Sequence, residues 1–189
     1  MRCWLSLCAC LFLVACVSVP RVRIDDQMLA PGITLSLPAE APFATGLDVT
    51  QIVQAGFQGR QQLIQSYLQK DEKRFILVMT VPSGPRIMRV DWSDGQIVAK
   101  REPIAPAGLH PERMMADIFL IYASHNEIVR ALHGATVLDA PDGMRRIRAS
   151  GKDVILIKRP VADVWSGSAT LSNLIYDYRL TIQGRRISP

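Results

Sequence analysis

From Leu47 onward, apolar and polar residues alternate with the two-residue period of β-strands. Gln51–Phe57, Gln61–Gln69 and Arg74–Val81 are predicted as three successive strands, separated by Gln58-Gly59-Arg60 and by the charged turn Lys70-Asp71-Glu72-Lys73. Phe75–Val81 is apolar on both faces, the pattern of a central strand covered on both sides. The stretch RIMRVDWSDGQIVAK predicts a hairpin, because Asp94-Gly95 supplies the two central residues of a tight turn that requires positive φ. That turn pairs Ser93 with Gln96 and Trp92 with Ile97. Met88, Val90, Trp92, Ile97 and Ala99 then share one apolar face, while Arg89, Asp91, Val98 and Lys100 take the other.

The period changes in the middle of the chain. Pro111 suits a first helical position and Glu112 a helix N-terminus. Met114, Met115, Ile118, Phe119 and Tyr122 follow at three- and four-residue spacings, giving one broad apolar stripe. Ser124-His125-Asn126-Glu127 has the form of a capping box, which opens a second short helix through Leu132, with Gly134 as its left-handed cap. Strands then resume at Thr136–Leu138, Met144–Ala149 and Asp153–Lys158. A loop is expected around Trp165-Ser166-Gly167-Ser168. LIYDYRLTI is expected as the closing strand, with Leu174, Tyr176, Tyr178, Leu180 and Ile182 on one face, and Gly184-Arg185-Arg186 ends the fold. The order predicts a mainly β (α+β) protein, one large antiparallel sheet with one buried face and a short helical pair over it. Curled without closing, such a sheet is an unclosed barrel whose helices form a lid over an apolar concavity.

Ahead of this domain, assigned to residues 47–189, Pro20, Pro31, Pro38 and Pro42 predict an extended tether over 16–46, with one short strand at Ile33–Leu37. The first fifteen residues read as a signal peptide: Arg2 is a minimal basic region, and Trp4–Ala15 is an uncharged apolar run. A bilayer span needs about 20 such residues, so the run is too short to be one. All four cysteines, Cys3, Cys8, Cys10 and Cys16, lie in the first sixteen residues. Disulfide, thiolate-metal and thiol-nucleophile chemistry are therefore absent from the rest of the chain. Leu13-Val14-Ala15-Cys16 resembles the bacterial lipobox. That resemblance implies cleavage before Cys16, acylation of Cys16 and anchoring of the mature chain in a membrane, which more than one acyl chain makes stable. Val17 stands where lipoproteins retained in the inner membrane often carry Asp, which implies sorting to the outer membrane and its periplasmic face.

Composition is that of a folded globular protein, 49% apolar and 21% charged over 189 residues. The net charge is +5, and loss of Arg2 removes one cation and no acid. Much of the excess falls late, in Arg145, Arg146, Arg148, Lys152, Lys158, Arg159, Arg185 and Arg186. Such a surface suits anionic lipid head groups or an acidic periplasmic carrier protein, and the predicted compartment excludes nucleic acid as a partner. A solvated strand face explains any one of these residues equally well.

The usual signatures of catalysis and metal binding are missing. His110, His125 and His133 fall at predicted helix ends, where capping accounts for them. There is no H-E-x-x-H, G-x-S-x-G or glycine-rich phosphate loop, and Gly167-Ser168 lacks the strand-turn-helix frame of a nucleophile elbow. No cofactor, metal or catalytic residue is assigned, and Asp117 is read as a polar-edge residue of the helix. The remaining candidate is the concavity itself, with Met88, Val90, Trp92, Met114, Met115, Phe119, Tyr176 and Tyr178 as its lining. A methionine stripe is more often ordinary core, but paired thioethers on a lid suit variable apolar ligands.

Lipobox, tether, strands, the helices of LHPERMMADIFLIYASHNEIVRAL and the segment LSNLIYDYRLTI together resemble the LolB-like outer-membrane lipoproteins. More narrowly, they resemble a branch often encoded with aryl polyene biosynthesis enzymes. The resemblance covers about residues 47–187 and implies an unclosed β-barrel that binds lipid or lipoprotein acyl chains without catalysis. LolB-type proteins also carry an exposed apolar residue in a short loop between central strands. The matching loop here is Pro82-Ser83-Gly84-Pro85, and a serine at its tip implies a narrower cargo, such as a polyene or fatty-acyl lipid. The alternatives are a structural adaptor lipoprotein with a filled core and an envelope hydrolase of dispersed catalytic residues.

Overall fold

The computed structural model describes residues 21–23, 26–57, 59–82, 84–106 and 108–187. Strands β1 (Arg21–Arg23), β2 (Gln27–Ala30) and β3 (Ile33–Leu35) come first. A meander follows: β4 (Leu47–Phe57), β5 (Arg60–Lys70), β6 (Phe75–Thr80), β7 (Arg86–Ser93) and β8 (Gln96–Arg101). Next are α1 (Pro111–Tyr122), α2 (His125–Ala131) and β9 (Leu132–His133). A second meander ends the fold: β10 (Thr136–Asp139), β11 (Met144–Ala149), β12 (Lys152–Lys158), β13 (Gly167–Asn173) and β14 (Tyr178–Arg186). Eleven strands form one antiparallel sheet in the order β1-β8-β7-β6-β5-β4-β14-β13-β12-β11-β10, and β2-β3-β9 form a small second sheet. The two meanders join where β14 pairs with β4, from Tyr178–Phe57 to Arg186–Val49. β1 and β10 remain edges, so the sheet is an unclosed barrel with the helices over its concave face.

The hairpin forms in the expected register, Ser93 with Gln96 and Trp92 with Ile97, and Asp94 and Gly95 both take positive φ. Its apolar face is wholly in the core: Met88, Val90, Trp92 and Ile97 are fully buried and Ala99 nearly so. Pro111 opens α1, and the Ser124–Glu127 capping box is made in both directions. Gly134 does not cap α2, which ends at Leu132 in extended backbone. Its positive φ follows β9 instead, where a Cβ would lie 2.1 Å from the Gly32 carbonyl oxygen, so glycine lets the two segments pass.

Residues 26–46 are not a tether. Leu29, Ala30, Ile33, Leu35, Leu37 and Ala41 are core residues. The backbone is tied down by Ser36 N–H to Ala131 O, Gly95 N–H to Ala39 O and Gly46 N–H to Lys70 O. The Trp92 indole N–H donates to Pro38 O at 3.1 Å. The prolines do keep this segment extended, but its alternate side chains cover the open side of the half-barrel.

The C-terminal pattern also differs from expectation. The region read as a loop at Gly167-Ser168 is the start of β13, and Leu174–Asp177 form a turn rather than the start of a strand. The Asn173 side-chain oxygen accepts the N–H groups of Ile175 and Tyr176, and Asp177 takes a φ of 50°. An Asx turn thus replaces the first four residues of the predicted strand. Gly184-Arg185-Arg186 end the fold, as the last residues of β14 paired with β4.

Candidate functional site

Helix α1 crosses the concave face, and three sets of polar contacts fix it. It has no basic residue in its own last turn. The Arg145 guanidinium supplies the missing cation, donating to Leu120 O at 2.7 Å and Ala123 O at 2.9 Å, while Arg159 donates to Ile121 O at 3.0 Å. Arg145 is fully buried and also holds Asp139 through both carboxylate oxygens. Burial pushes the Asp139 carboxyl up, but the hydrogen bonds and charge of Arg145, helped by Arg159 and His125, outweigh it and hold the group below its usual range. In the same last turn, Tyr122 receives a hydrogen bond from Gln51 Nε2 at 2.7 Å and stacks on Trp165 with ring centroids 3.8 Å apart.

The first turns of α1 are held differently. The Tyr178 hydroxyl donates to Asp117 Oδ1 at 2.7 Å and accepts from the Arg113 guanidinium at 2.9 and 3.0 Å. Arg113 also lies 3.6 Å from Asp117 and donates to Met28 O. Asp117 is buried, and desolvation lifts its carboxyl to about 6 even though Arg113 and the Tyr178 hydrogen bond both pull it down. Burial, with Asp117 beside it, raises the Tyr178 hydroxyl above the ordinary tyrosine value.

Between α1 and the sheet lies a cavity of about 100 Å³. Met114, Asp117, Ile118 and Ile121 line it from the helix, one face at spacings of three and four. Val53, Ile64, Leu77, Met79, Leu180 and Ile182 line it from four adjacent strands. Its polar points are few: Asp117, Gln51 and Ser66, and the buried Ser66 hydroxyl has no hydrogen-bond partner among the described residues. A second depression, of about 220 Å³, lies at the surface beside α2 between Ser36, Pro38, Glu127 and Arg130. It is the larger of the two, but it lacks the continuous apolar walls of the first.

Of the predicted lining, only Met114 faces the cavity. Met88, Val90, Trp92, Met115 and Phe119 are packed core, with Trp92 and Phe119 ring centroids 6.5 Å apart. Met114 and Met115 separate because consecutive helical residues point about 100° apart. Tyr178 contributes through its hydroxyl, in the contact with Arg113 and Asp117. Tyr176 is an exposed turn residue whose ring lies 5.4 Å from the Arg113 guanidinium carbon. Cys16 and Ser83 lie outside the described residues. Sequence reading missed Asp117, Arg113 and Ser66. The i,i+4 spacing of Arg113 and Asp117 was the available signal for the first two; nothing local marks Ser66.

The late basic residues are largely occupied. Arg146 and Arg148 both pair with Asp153, Lys158 with Asp142, Arg186 with Asp163, and Arg145 and Arg159 with Asp139. They tie strands and turns together and do not make a free cationic patch. Among the histidines, His133 departs from a capping role: its Nε2 lies 3.0 Å from Ser36 Oγ, which donates to Asp26 at 2.5 Å. The carboxylate thus takes the serine's only proton directly, whereas a catalytic triad orients the imidazole with it. No group of three or more metal-ligating side chains occurs among the described residues.

Residues 48–185 match the sequence model of a family described as "Protein of unknown function (DUF3261)". No curated protein matches the chain.

Proposed function

Because the chain belongs to the DUF3261 family, whose description assigns no activity, we propose from its geometry that it is a non-catalytic carrier: it takes the apolar part of an amphiphile beneath α1 and delivers it to the outer membrane. The observation that carries this reading is the cavity, walled by aliphatic and thioether side chains from α1 and four strands, with a lone unpaired hydroxyl at Ser66. Each methylene transferred from water to such walls gains about 0.8 kcal/mol, so an acyl or polyene chain needs no chemistry to be held. The cavity of about 100 Å³ is smaller than the roughly 150 Å³ apolar void that holds one benzene. A longer chain therefore enters only as α1 lifts. Acylated Cys16 would hold the carrier at the periplasmic face of the outer membrane, and a periplasmic carrier protein is the natural donor of the cargo. Fatty-acyl lipids, aryl polyene lipids and lipoprotein acyl chains, the cargo implied by the LolB-like resemblance, all meet these requirements.

Saturable binding of a fluorescent fatty acid to the detergent-free protein is the expected result. Met114→Trp should weaken that binding at least tenfold while leaving the circular dichroism spectrum unchanged. Absence of saturable binding sinks the carrier reading and supports the structural adaptor. The adaptor has its own supporting observation, since Trp92, Phe119, Met88 and Met115 fill most of the concavity.

A further inference from the structure

We infer that the end of the half-barrel nearest the cavity is a bilayer-docking surface, and that the protein stands on its membrane with this end down. Strand pairing defines the two ends. One carries the β4–β5 turn, the β6–β7 turn, the β11–β12 turn, the β13–β14 turn and the connection that leads from Arg101 into α1. The other carries the turns at residues 71–74, 94–95 and 140–143. The cavity lining reaches Ala55, Leu109 and Met114, beside the first end.

Six of the twelve large apolar side chains exposed among the described residues stand at that same end; Ile52, Leu63 and Leu138 lie along strands and Val129 on α2. Phe57 stands at the β4–β5 turn, Leu174, Ile175 and Tyr176 form the β13–β14 turn, and Ile104 lies in the connection to α1. Met28 joins them, its carbonyl bonded to Arg113 and that of Leu29 to Asn173 at the end of β13. These six are 37–58% exposed. At the opposite end Val161 and Ile187 are exposed, among the charged residues Asp71, Glu72, Arg74, Asp94 and Asp142. Interfacial apolar side chains on four separate segments at one end of the sheet fit a planar lipid surface, because each reaches it without rearranging the fold.

The direction of β1 gives an independent reason. Arg23 pairs with Gln96 and Arg21 with Val98, so tracing the chain backwards from Arg23 leads towards Arg101, at the end with the apolar rim. Cys16 precedes Arg21 by five residues, a reach of at most about 17 Å. Roughly 10 Å of that only brings the chain level with Arg101. An acyl group on Cys16 therefore holds the rim within a few ångströms of the bilayer. The docking inference rests on the acyl anchor of the proposed function, but not on the carrier's having any particular cargo.

The test uses the full chain, processed and acylated in a bacterial host and reconstituted into phosphatidylethanolamine–phosphatidylglycerol vesicles. Phe57→Cys, Ile175→Cys and Val161→Cys are each labelled with a small fluorophore, since the sequence after Cys16 has no other cysteine. Lipids carrying a quencher on the acyl chain should quench the labels at 57 and 175 at least threefold more than the label at 161. Equal quenching at the three positions overturns the proposal. So does stronger quenching at 161 than at 57 and 175. Fatty-acid binding is measured on the same samples: docking without binding removes the carrier reading and leaves the docking surface standing.

Discussion

Asp117→Asn tests whether the contact beneath the first turns of α1 carries an energetic cost at neutral pH. The Asp117 side chain is 8% exposed and has only Tyr178 and Arg113 to compensate its charge. Its carboxyl rises from 3.8 to about 6, with desolvation the largest cause. A rise of roughly two units corresponds to about 3 kcal/mol of folding free energy. The sign follows from proton binding. Between about pH 4 and 6 the folded chain holds this proton and the unfolded chain does not, so stability falls as pH rises through that window and stays lower above it. The depressed carboxyls of Asp71, Glu102, Asp139, Asp142 and Asp163 act in the opposite direction, and only below the ordinary carboxylate range. Urea unfolding should therefore show the wild-type chain losing about 2 kcal/mol from pH 4.5 to pH 7. The Asn variant should be nearly flat across this range and the more stable protein at neutral pH. A wild-type stability that is constant or rising between pH 4.5 and 6.5, or an Asn variant less stable at pH 7, refutes the reasoning.

Three further outcomes are expected from equilibrium unfolding. Arg145→Ala takes the closest cation from Asp139, leaving Arg159 at 3.7 Å, and removes the donor to two helix-end carbonyls; it should cost about 3 kcal/mol, and a loss under 1 kcal/mol would show that α1 is not held there. Trp92→Ala should cost about 3–5 kcal/mol as a core truncation, in keeping with its full burial against Phe75 and Phe119. Ser66→Ala should stabilise the ligand-free chain by about 1 kcal/mol, because it removes a buried hydroxyl without a partner; destabilisation would mean that the hydroxyl is satisfied.

What was legible in the sequence was what depends on neighbours in the chain. Asp94-Gly95 fixes a turn, the turn fixes a register, and the register puts Met88, Val90 and Trp92 on one face whatever surrounds them. Pro111 and the Ser124–Glu127 box likewise act within one helical turn. Long-range packing was not legible. Prolines at 31, 38 and 42 look the same in a solvated tether and in an extended segment that covers a core. Only the partners of Leu29, Leu35 and Leu37 tell the two apart. The alternation through LIYDYRLTI was equally ambiguous, since the same residues suit a strand and the Asx turn that Asn173 makes over Ile175 and Tyr176. For the cavity, the apolar stripe of α1 was visible, but its division between core and cavity was not. Phe119 faces Trp92 and Met115 is buried in the core, Met114 and Ile118 face the cavity, and one broad stripe encodes both.

The two halves of α1 differ in a way that bears on how a chain longer than the cavity would enter. The last turn is bound by the guanidinium groups of Arg145 and Arg159 to three carbonyls and by Tyr122 to both Gln51 and Trp165. The first turns rest on Arg113, Asp117 and Tyr178, where one member is a carboxylate held out of water at a cost. The apolar rim lies at this less securely held end, and the cavity runs from Met114 there to Ile121 in the last turn. Opening should therefore proceed from the N-terminal half of α1, with the Arg145 end as pivot. Hydrogen exchange distinguishes this from concerted release: at neutral pH the amides of Asp117 and Ile118 should exchange at least tenfold faster than those of Ile121 and Tyr122. The difference should shrink below about pH 5, where Asp117 keeps its proton. Uniform protection along α1 at both pH values would mean that the helix moves as one body or not at all, and that the lid reading of its N-terminal half is wrong.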